Sequence, residues 1–171
     1  IDPPTITVTF GINDSPLAGR DGKKVQSRVI RDRLLKECES NVAIKMVDTP
    51  GGEAFDVSGR GELQMGVLIE NMRREGFELS ISRPRVIYKD VDGVKNEPIE
   101  EVTIDVDEEF SGAVIEKISS RKGEMVDLKS SGSGKTRIIA LVPSRGLIGY
   151  HSEFMTDTRG TGILNRVFHS W

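Results

Sequence analysis

Gly134-Lys135-Thr136 has the residue types that end a phosphate-binding loop. Such a loop needs another glycine five residues before Gly134, and Lys129 stands there. It must also join a buried strand to a helix N-terminus, so that backbone N–H groups cradle phosphates. Thr136 runs instead into an apolar, strand-like stretch, so the sequence predicts no nucleotide site here. Lys129, Lys135 and Arg137 are left as basic groups around a hairpin tip. Asp105, Asp107, Glu108 and Glu109 could offer carboxylates to a divalent cation. Without the glycine and carbonyl spacing of a calcium loop they read as a solvated strand end. His151, His169 and Cys38 lack the spacing of a zinc site. Cys38 shares a helical stripe with Ile30 and Leu34, so it reads as a small core residue rather than a nucleophile. The expectation is therefore no catalytic residue, no cofactor-binding residue and no metal site.

Charge is the more informative chemistry. The net charge is only −3, but the local balance swings widely. Residues 20–36 hold seven basic side chains against Asp21 and Asp32. Residues 90–109 hold nine acids against Lys95, and residues 115–137 hold six basic groups against three acids. A basic–acidic–basic order can focus an anionic partner onto two patches, or can simply be solvated faces. Aromatic residues make up 5% of the chain, so base stacking on an exposed sheet is not expected.

The elements that must carry these groups follow from periodicity. Ile6, Val8 and Phe10 alternate as a strand, and Ile30, Leu34 and Cys38 repeat as a helix. Val42, Ile44 and Met46 alternate again, then a Thr49-Pro50-Gly51-Gly52 turn leads into a short strand at 54–58. Met65, Leu68, Ile69 and Met72 place a helix over 61–75, with Gly76 as its C-cap. Phe77, Leu79 and Ile81 form a last strand. The second half repeats the order: strand at 102–106, helix through Phe110, Val114 and Ile118, strand at 125–128, turn at 129–134, strand at 137–142. A helix through Leu147, His151, Phe154 and Met155 and a strand from Ile163 complete it. The fold class predicted is α+β, with two tandem ferredoxin-like (βαββαβ, split βαβ) domains over 1–88 and 89–171. No apolar run reaches membrane-span length and no secretory signal is visible. The chain starts at Ile1 without methionine and stops at Trp171 in an apolar run, so the expectation is a piece of a larger cytoplasmic protein.

Three stretches carry a resemblance. Val57-Ser58-Gly59-Arg60-Gly61-Glu62-Leu63-Gln64-Met65, continuing through Glu70-Asn71-Met72-Arg73-Arg74-Glu75, resembles the third domain of elongation factor G and other translational GTPases. Gln64 replaces the histidine usual there. Asn13-Asp14-Ser15-Pro16-Leu17-Ala18-Gly19-Arg20-Asp21-Gly22-Lys23 resembles a loop of the BipA/TypA family. Pro143-Ser144-Arg145-Gly146-Leu147-Ile148-Gly149-Tyr150, with Glu153-Phe154-Met155-Thr156, resembles that family's fifth-domain helix.

The resemblance implies domains III and V of a BipA/TypA-like factor. A GTPase domain holding GTP and magnesium would lie elsewhere in the parent, together with a C-terminal domain. Only about ten residues separate Tyr88 from the next strand, where elongation factor G inserts its domain IV, which disfavours translocation. The implied role is ribosome binding in the intersubunit cleft, linking GTPase and C-terminal domains, in a factor for ribosome assembly and for stress or cold adaptation. The implied partners are rRNA, ribosomal proteins and other domains of the parent chain, with no membrane and no small-molecule substrate. The alternative is an intramolecular scaffold that relays nucleotide state with little ribosome contact. Candidate rRNA contacts are basic or hydroxyl side chains in loops and at helix starts: Arg20, Lys23, Lys24, Arg28, Arg31, Arg60, Lys129, Lys135, Arg137, Ser144 and Arg145. For Arg60 and Arg145 a purely structural clamp weighs equally. Leu63 and Val67 form a second apolar edge on their helix, either flanking the core or meeting a neighbouring domain.

Overall fold

Alternation of Ile6, Val8 and Phe10 buries one side of a strand and leaves the other partly open, the pattern of a sheet covered on one face. In the computed structural model, which describes residues 3–12 and 27–171, this pattern recurs in two compact units, Ile1–Ile87 and Tyr88–Trp171. Arg20, Lys23, Lys24 and the family-like loop around them lie outside the described residues.

The first unit runs β1 (Ile6–Ile12), α1 (Ser27–Ser40), β2 (Lys45–Asp48), β3 (Ala54–Gly59), α2 (Glu62–Arg74), β4 (Leu79–Ile81) and β5 (Arg85–Val86). The sheet order is β2-β3-β1-β4, with β5 also on β1, and every pairing is antiparallel. That is the split βαβ arrangement expected. Its final strand is interrupted because Pro84 has no N–H to give to the ladder. At the break the Ser82 hydroxyl accepts the Thr9 N–H at 2.8 Å. Ile6, Val8, Phe10, Phe55 and Val57 meet Ile30 and Leu34 of α1 and Met65, Leu68 and Met72 of α2 in the core. Cys38 packs at its margin, where burial first and Glu37 second raise its thiol pKa.

α2 ends as its sequence predicts. Gly76 is left-handed, its N–H bonds to the Arg73 carbonyl at 3.1 Å, and the Phe77 N–H bonds to Met72 at 3.0 Å, a Schellman closure. The strand expected from Val42 starts later. Asn41 Oδ1 accepts the Ala43 N–H at 3.1 Å, which holds a turn and leaves Val42 exposed.

The second unit opens with a hairpin, β6 (Lys89–Val91) and β7 (Val94–Asn96), closed by Asp92-Gly93 with both φ angles positive. The rest is β8 (Ile99–Asp107), α3 (Glu108–Ser120), β9 (Glu124–Ser131), β10 (Lys135–Pro143), α4 (Ser144–Leu147), α5 (Tyr150–Asp157) and β11 (Ile163–Ser170). Its sheet order, β11-β8-β10-β9, is again fully antiparallel. Val102, Ile104, Val106, Ile138, Ala140 and Val142 face Val114, Ile118, Leu147, Tyr150 and Phe154 in a separate core. The single helix expected from Leu147 is two, because Gly149 at φ 77° breaks it. β9 is longer than expected and carries Lys129 inside the strand, paired with Arg137, rather than in the turn. Among the described residues no helix is long and apolar enough to cross a membrane.

Two glycines bracket what the backbone tolerates. A Cβ on Gly146 would overlap the carbonyl oxygen of Arg121, which is fixed backbone. A Cβ on Gly66, in the middle of α2, would meet no atom within 4 Å. Gly146→Ala should therefore destabilise the second unit by about 1–3 kcal/mol, whereas Gly66→Ala should stabilise the first by about 0.5–1 kcal/mol. Thermal or urea unfolding of the two variants checks both signs.

Candidate functional site

The turn from β3 into α2 and the turn from β10 into α4 both run through an Arg-Gly step, and the two junctions are built differently. In the second unit β10 stops at Pro143, and the Ser144 N–H donates to the Pro98 carbonyl at 3.0 Å. The Ser144 hydroxyl donates to Glu100 Oε2 at 2.6 Å, and Arg166 donates to both Glu100 oxygens at 2.7 Å. The Glu100 side chain is only 4% exposed, so these charge-assisted bonds replace its hydration. Ser144 is fully buried. Its hydroxyl is a structural donor here, and the expectation that it reaches phosphate is corrected on that ground. Arg145 pairs with Glu97, which is the structural clamp rather than a free phosphate ligand.

The same junction is held from α3. Arg121 donates to the carbonyls of Gly146 at 2.8 Å and Ile148 at 3.0 Å, and to Glu153 Oε2 at 2.6 Å. Its guanidinium also lies 5.0 Å from the Tyr150 ring centroid. Lys117 bonds the other Glu153 oxygen. Hydrogen bonds from Lys117 and then Arg121 hold the Glu153 carboxyl below the usual carboxylate range. Burial, and then the nearby Asp157 and Glu153 charges, push the Tyr150 phenol up to about 12.

The corresponding junction of the first unit is open. The Thr5 hydroxyl donates to the Arg60 carbonyl at 2.9 Å. The Arg60 N–H donates to Gln64 Oε1 at 2.9 Å, so the residue that departs from the usual histidine reaches back to steady the start of α2. The exposed Arg60 guanidinium has no ion-pair partner among the described residues. Arg28, on the outer side of α1, is likewise exposed and unpaired among them. Arg31 is not: Asp48 accepts from it at 2.9 and 3.3 Å, and that hydrogen bond holds the Asp48 carboxyl down.

The basic hairpin is charge-balanced. Arg137 makes a two-pronged contact with Asp105 at 2.9 and 3.2 Å. Lys135 lies 3.5 Å from Asp107 and Lys129 3.5 Å from Asp127. These pairs are exposed and individually weak. Lys135-Thr136 opens the strand β10 rather than a helix. Among the described residues no cluster of His, Cys, Asp and Glu is placed to hold a metal ion.

Lys122 and Arg159 are among the exposed cations that the sequence did not single out. They follow α3 and α5, at φ 70° and 52°. The Gly123 N–H reaches the Ile118 carbonyl at 2.9 Å and the Gly160 N–H reaches Met155 at 2.8 Å. Each is therefore a Schellman closure with a cation where glycine is usual. A basic residue directly before a helix-ending glycine was the available signal.

Comparison with known sequences and structures bears on this geometry. The family model described as "Elongation factor G C-terminus" matches residues 94–171. A Bacillus subtilis (strain 168) protein named "Large ribosomal subunit assembly factor BipA" is 53% identical over 171 residues, covering 100% of this chain and 28% of its own. Proteins of the same name from Haemophilus influenzae and Escherichia coli K12 are 54% and 52% identical over 168 residues, 98% of this chain and 27% and 28% of theirs. The chain thus spans little more than a quarter of these relatives. A crystal structure of a protein from Thermus thermophilus superposes with TM-score 0.61 at 13% identity, over 99% of this chain and 40% of that one. It shares the fold.

Two outcomes follow from the closed junction. Glu100→Ala strands the Arg166 guanidinium and the buried Ser144 hydroxyl, and should cost about 2–4 kcal/mol in a denaturant titration. Tyr150 favours its neutral form in the fold. Its contribution is present below pH 10, the ordinary tyrosine value, and is lost as pH rises through about 12. Phenolate absorbance should accordingly show a component near pH 12 that Tyr150→Phe removes.

Proposed function

The chain belongs to the BipA family along its whole length, and from that membership we propose that it is the ribosome-binding part of a BipA-type translational GTPase. The observation that carries this reading is 52–54% identity across 98–100% of the chain to proteins named as large ribosomal subunit assembly factors. In this reading the two units sit in the factor-binding cleft, touch rRNA and ribosomal proteins, and link a GTPase domain to a C-terminal domain. The full-length protein is cytoplasmic, hydrolyses GTP with magnesium in its GTPase domain, and serves subunit assembly and stress or cold adaptation. The span 1–171 itself does no catalysis.

Contact with RNA backbone is supported by cations that have no internal partner. An unpaired guanidinium gives its full charge to a phosphate and releases a counterion, whereas a paired one must first give up its carboxylate. Arg28 and Arg60 therefore rank first among the described candidates, with Lys122 and Arg159 added from the structure. Arg31, Lys129, Lys135, Arg137 and Arg145 rank below them. The scaffold alternative draws on one observation, the exposure of Leu63 and Val67 at 56% and 59%.

A pelleting assay with large ribosomal subunits across a salt series tests the reading in the full-length protein. Arg28→Glu with Arg60→Glu should weaken binding and lower the salt slope by roughly one unit for each phosphate no longer neutralised. Arg137→Gln should change the slope less. Wild-type protein that fails to bind subunits at low salt would overturn the ribosome-binding reading.

A further inference from the structure

The sheet of the first unit buries one face under α1 and α2, and its other face is built from small side chains. On β1 the buried Ile6, Val8 and Phe10 alternate with Thr7, Thr9 and Gly11. The register sets these three beside Ser58, Asp56 and Ala54 of β3, and Ser80 of β4 lies on the other side of Gly11. Most polar groups of this face satisfy one another. The Thr7 and Ser58 hydroxyls share a hydrogen bond at 3.0 Å. The Thr9 hydroxyl donates to Asp56 at 2.7 Å, and Arg85 donates to Thr9 at 3.0 Å and to Asp56 at 3.4 Å. The Ser82 hydroxyl accepts the Thr9 N–H and donates to the Arg83 carbonyl at 3.2 Å.

At one end this face holds a trough of about 320 Å³. Gly11, Ala54 and Ser80 stand side by side in its lining, with Glu53 beside them. Two polar groups there are uncommitted: the exposed Glu53 carboxylate and the exposed Ser80 hydroxyl have no partner among the described residues. Among those residues no cation lines the trough. Gly11 points the same way. Its backbone is not left-handed, and a Cβ there would sit 3.8 Å from the Ala54 Cβ and the Ser80 carbonyl oxygen, ordinary contact distances. The fold therefore does not require glycine at this position. A glycine inside a strand weakens it, and marks a place where a ligand or another chain approaches the sheet closely.

The chemistry selects the occupant. An unpaired carboxylate repels phosphate, so the trough does not fit RNA backbone. No aromatic ring lines it to stack a base, and a floor of glycine, alanine and serine gives a bulky apolar anchor little to grip. A long cationic side chain fits on every count. Its aliphatic stem lies along the flat floor, and its head donates to Glu53 and Ser80, the first of these a charge-assisted bond. We propose that this trough receives a lysine or arginine side chain of a ribosomal protein. The proposal rests on the ribosome-binding reading and adds to it a protein contact, chosen by a carboxylate, on a face separate from the unpaired arginines that suit rRNA.

Pelleting of the full-length protein with intact ribosomes across a salt series tests the sign of the charge. Glu53→Lys should weaken binding roughly ten-fold, with Glu53→Gln in between. Gly11→Val fills the trough and should also weaken binding, while the unfolding temperature stays the same or rises. Benzoylphenylalanine in place of the exposed Ser80 should crosslink to a ribosomal protein and not to rRNA. Charge reversal of a lysine or arginine in the crosslinked peptide should then restore binding of Glu53→Lys. Tighter binding of Glu53→Lys, with a salt slope steeper by roughly one unit, would assign the face to RNA and overturn the proposal. So would Glu53→Lys and Gly11→Val that bind like wild type, or crosslinks from position 80 only to rRNA or to the protein's own chain. Wild-type protein that does not pellet removes the ribosome-binding reading and this contact with it, whereas wild-type pelleting with unaffected variants removes this contact alone.

Discussion

A carboxylate with 4% of its surface exposed has to be met by donors on nearly every side, and Glu100 is met by Arg166 and Ser144. These bonds join β8 to β11 and both to the start of α4. They also fix where β10 must end, because Ser144 reaches Glu100 only if the chain leaves the sheet at Pro143. Once that exit is set, Gly146 comes so close to the Arg121 carbonyl that no side chain fits there. Arg121 then closes the junction from the other side through the Gly146 and Ile148 carbonyls and Glu153. The Pro-Ser-Arg-Gly sequence is thus a folding instruction for the second unit, written around one buried charge.

The first unit has the same topology, and its own buried carboxylate, Glu78, lies beyond the C-terminal end of α2. Its junction is steadied by neutral groups, the Thr5 hydroxyl and the Gln64 carboxamide, and both act on the Arg60 backbone. That leaves the Arg60 guanidinium uncommitted while Arg145, in the corresponding place, is paired with Glu97. Two copies of one architecture therefore divide the labour: one arginine closes its own domain, and the other is available to a partner. The difference comes from a side chain four residues downstream in one case and an acidic strand edge in the other. Topology alone would predict neither.

Much of this organisation was legible in the chain. Alternation and helical spacing placed the strands and helices of both units, and the order of elements implied the split βαβ topology that the sheets adopt. What was missed has local physical causes. Asn41 holds a turn with its own side chain, which overrides the alternation of Val42, Ile44 and Met46. Gly149 takes a left-handed conformation and cuts one apparent helix into two. The β10–β9 register places Lys129 opposite Arg137, so a residue that reads as turn by composition belongs to the ladder. The site was less legible than the fold, because a side chain's partner depends on register and not on neighbours in sequence.

Charge shows this most directly. Read along the chain, residues 90–109 are strongly acidic and residues 115–137 basic, as if two opposed surfaces existed. The antiparallel register puts Asp105 opposite Arg137 and Asp107 opposite Lys135, so the two runs meet across one sheet in two ion pairs. A field that looks like steering in sequence becomes a row of short-range pairs in space, screened and individually weak. The charge left to act on a partner includes Arg28 on the outer side of α1, Arg60 at a strand-to-helix turn, and Lys122 and Arg159 beyond helix ends. At the last two positions the backbone accepts a conformation that glycine would take more easily, and a side chain that reaches solvent is what it keeps in exchange.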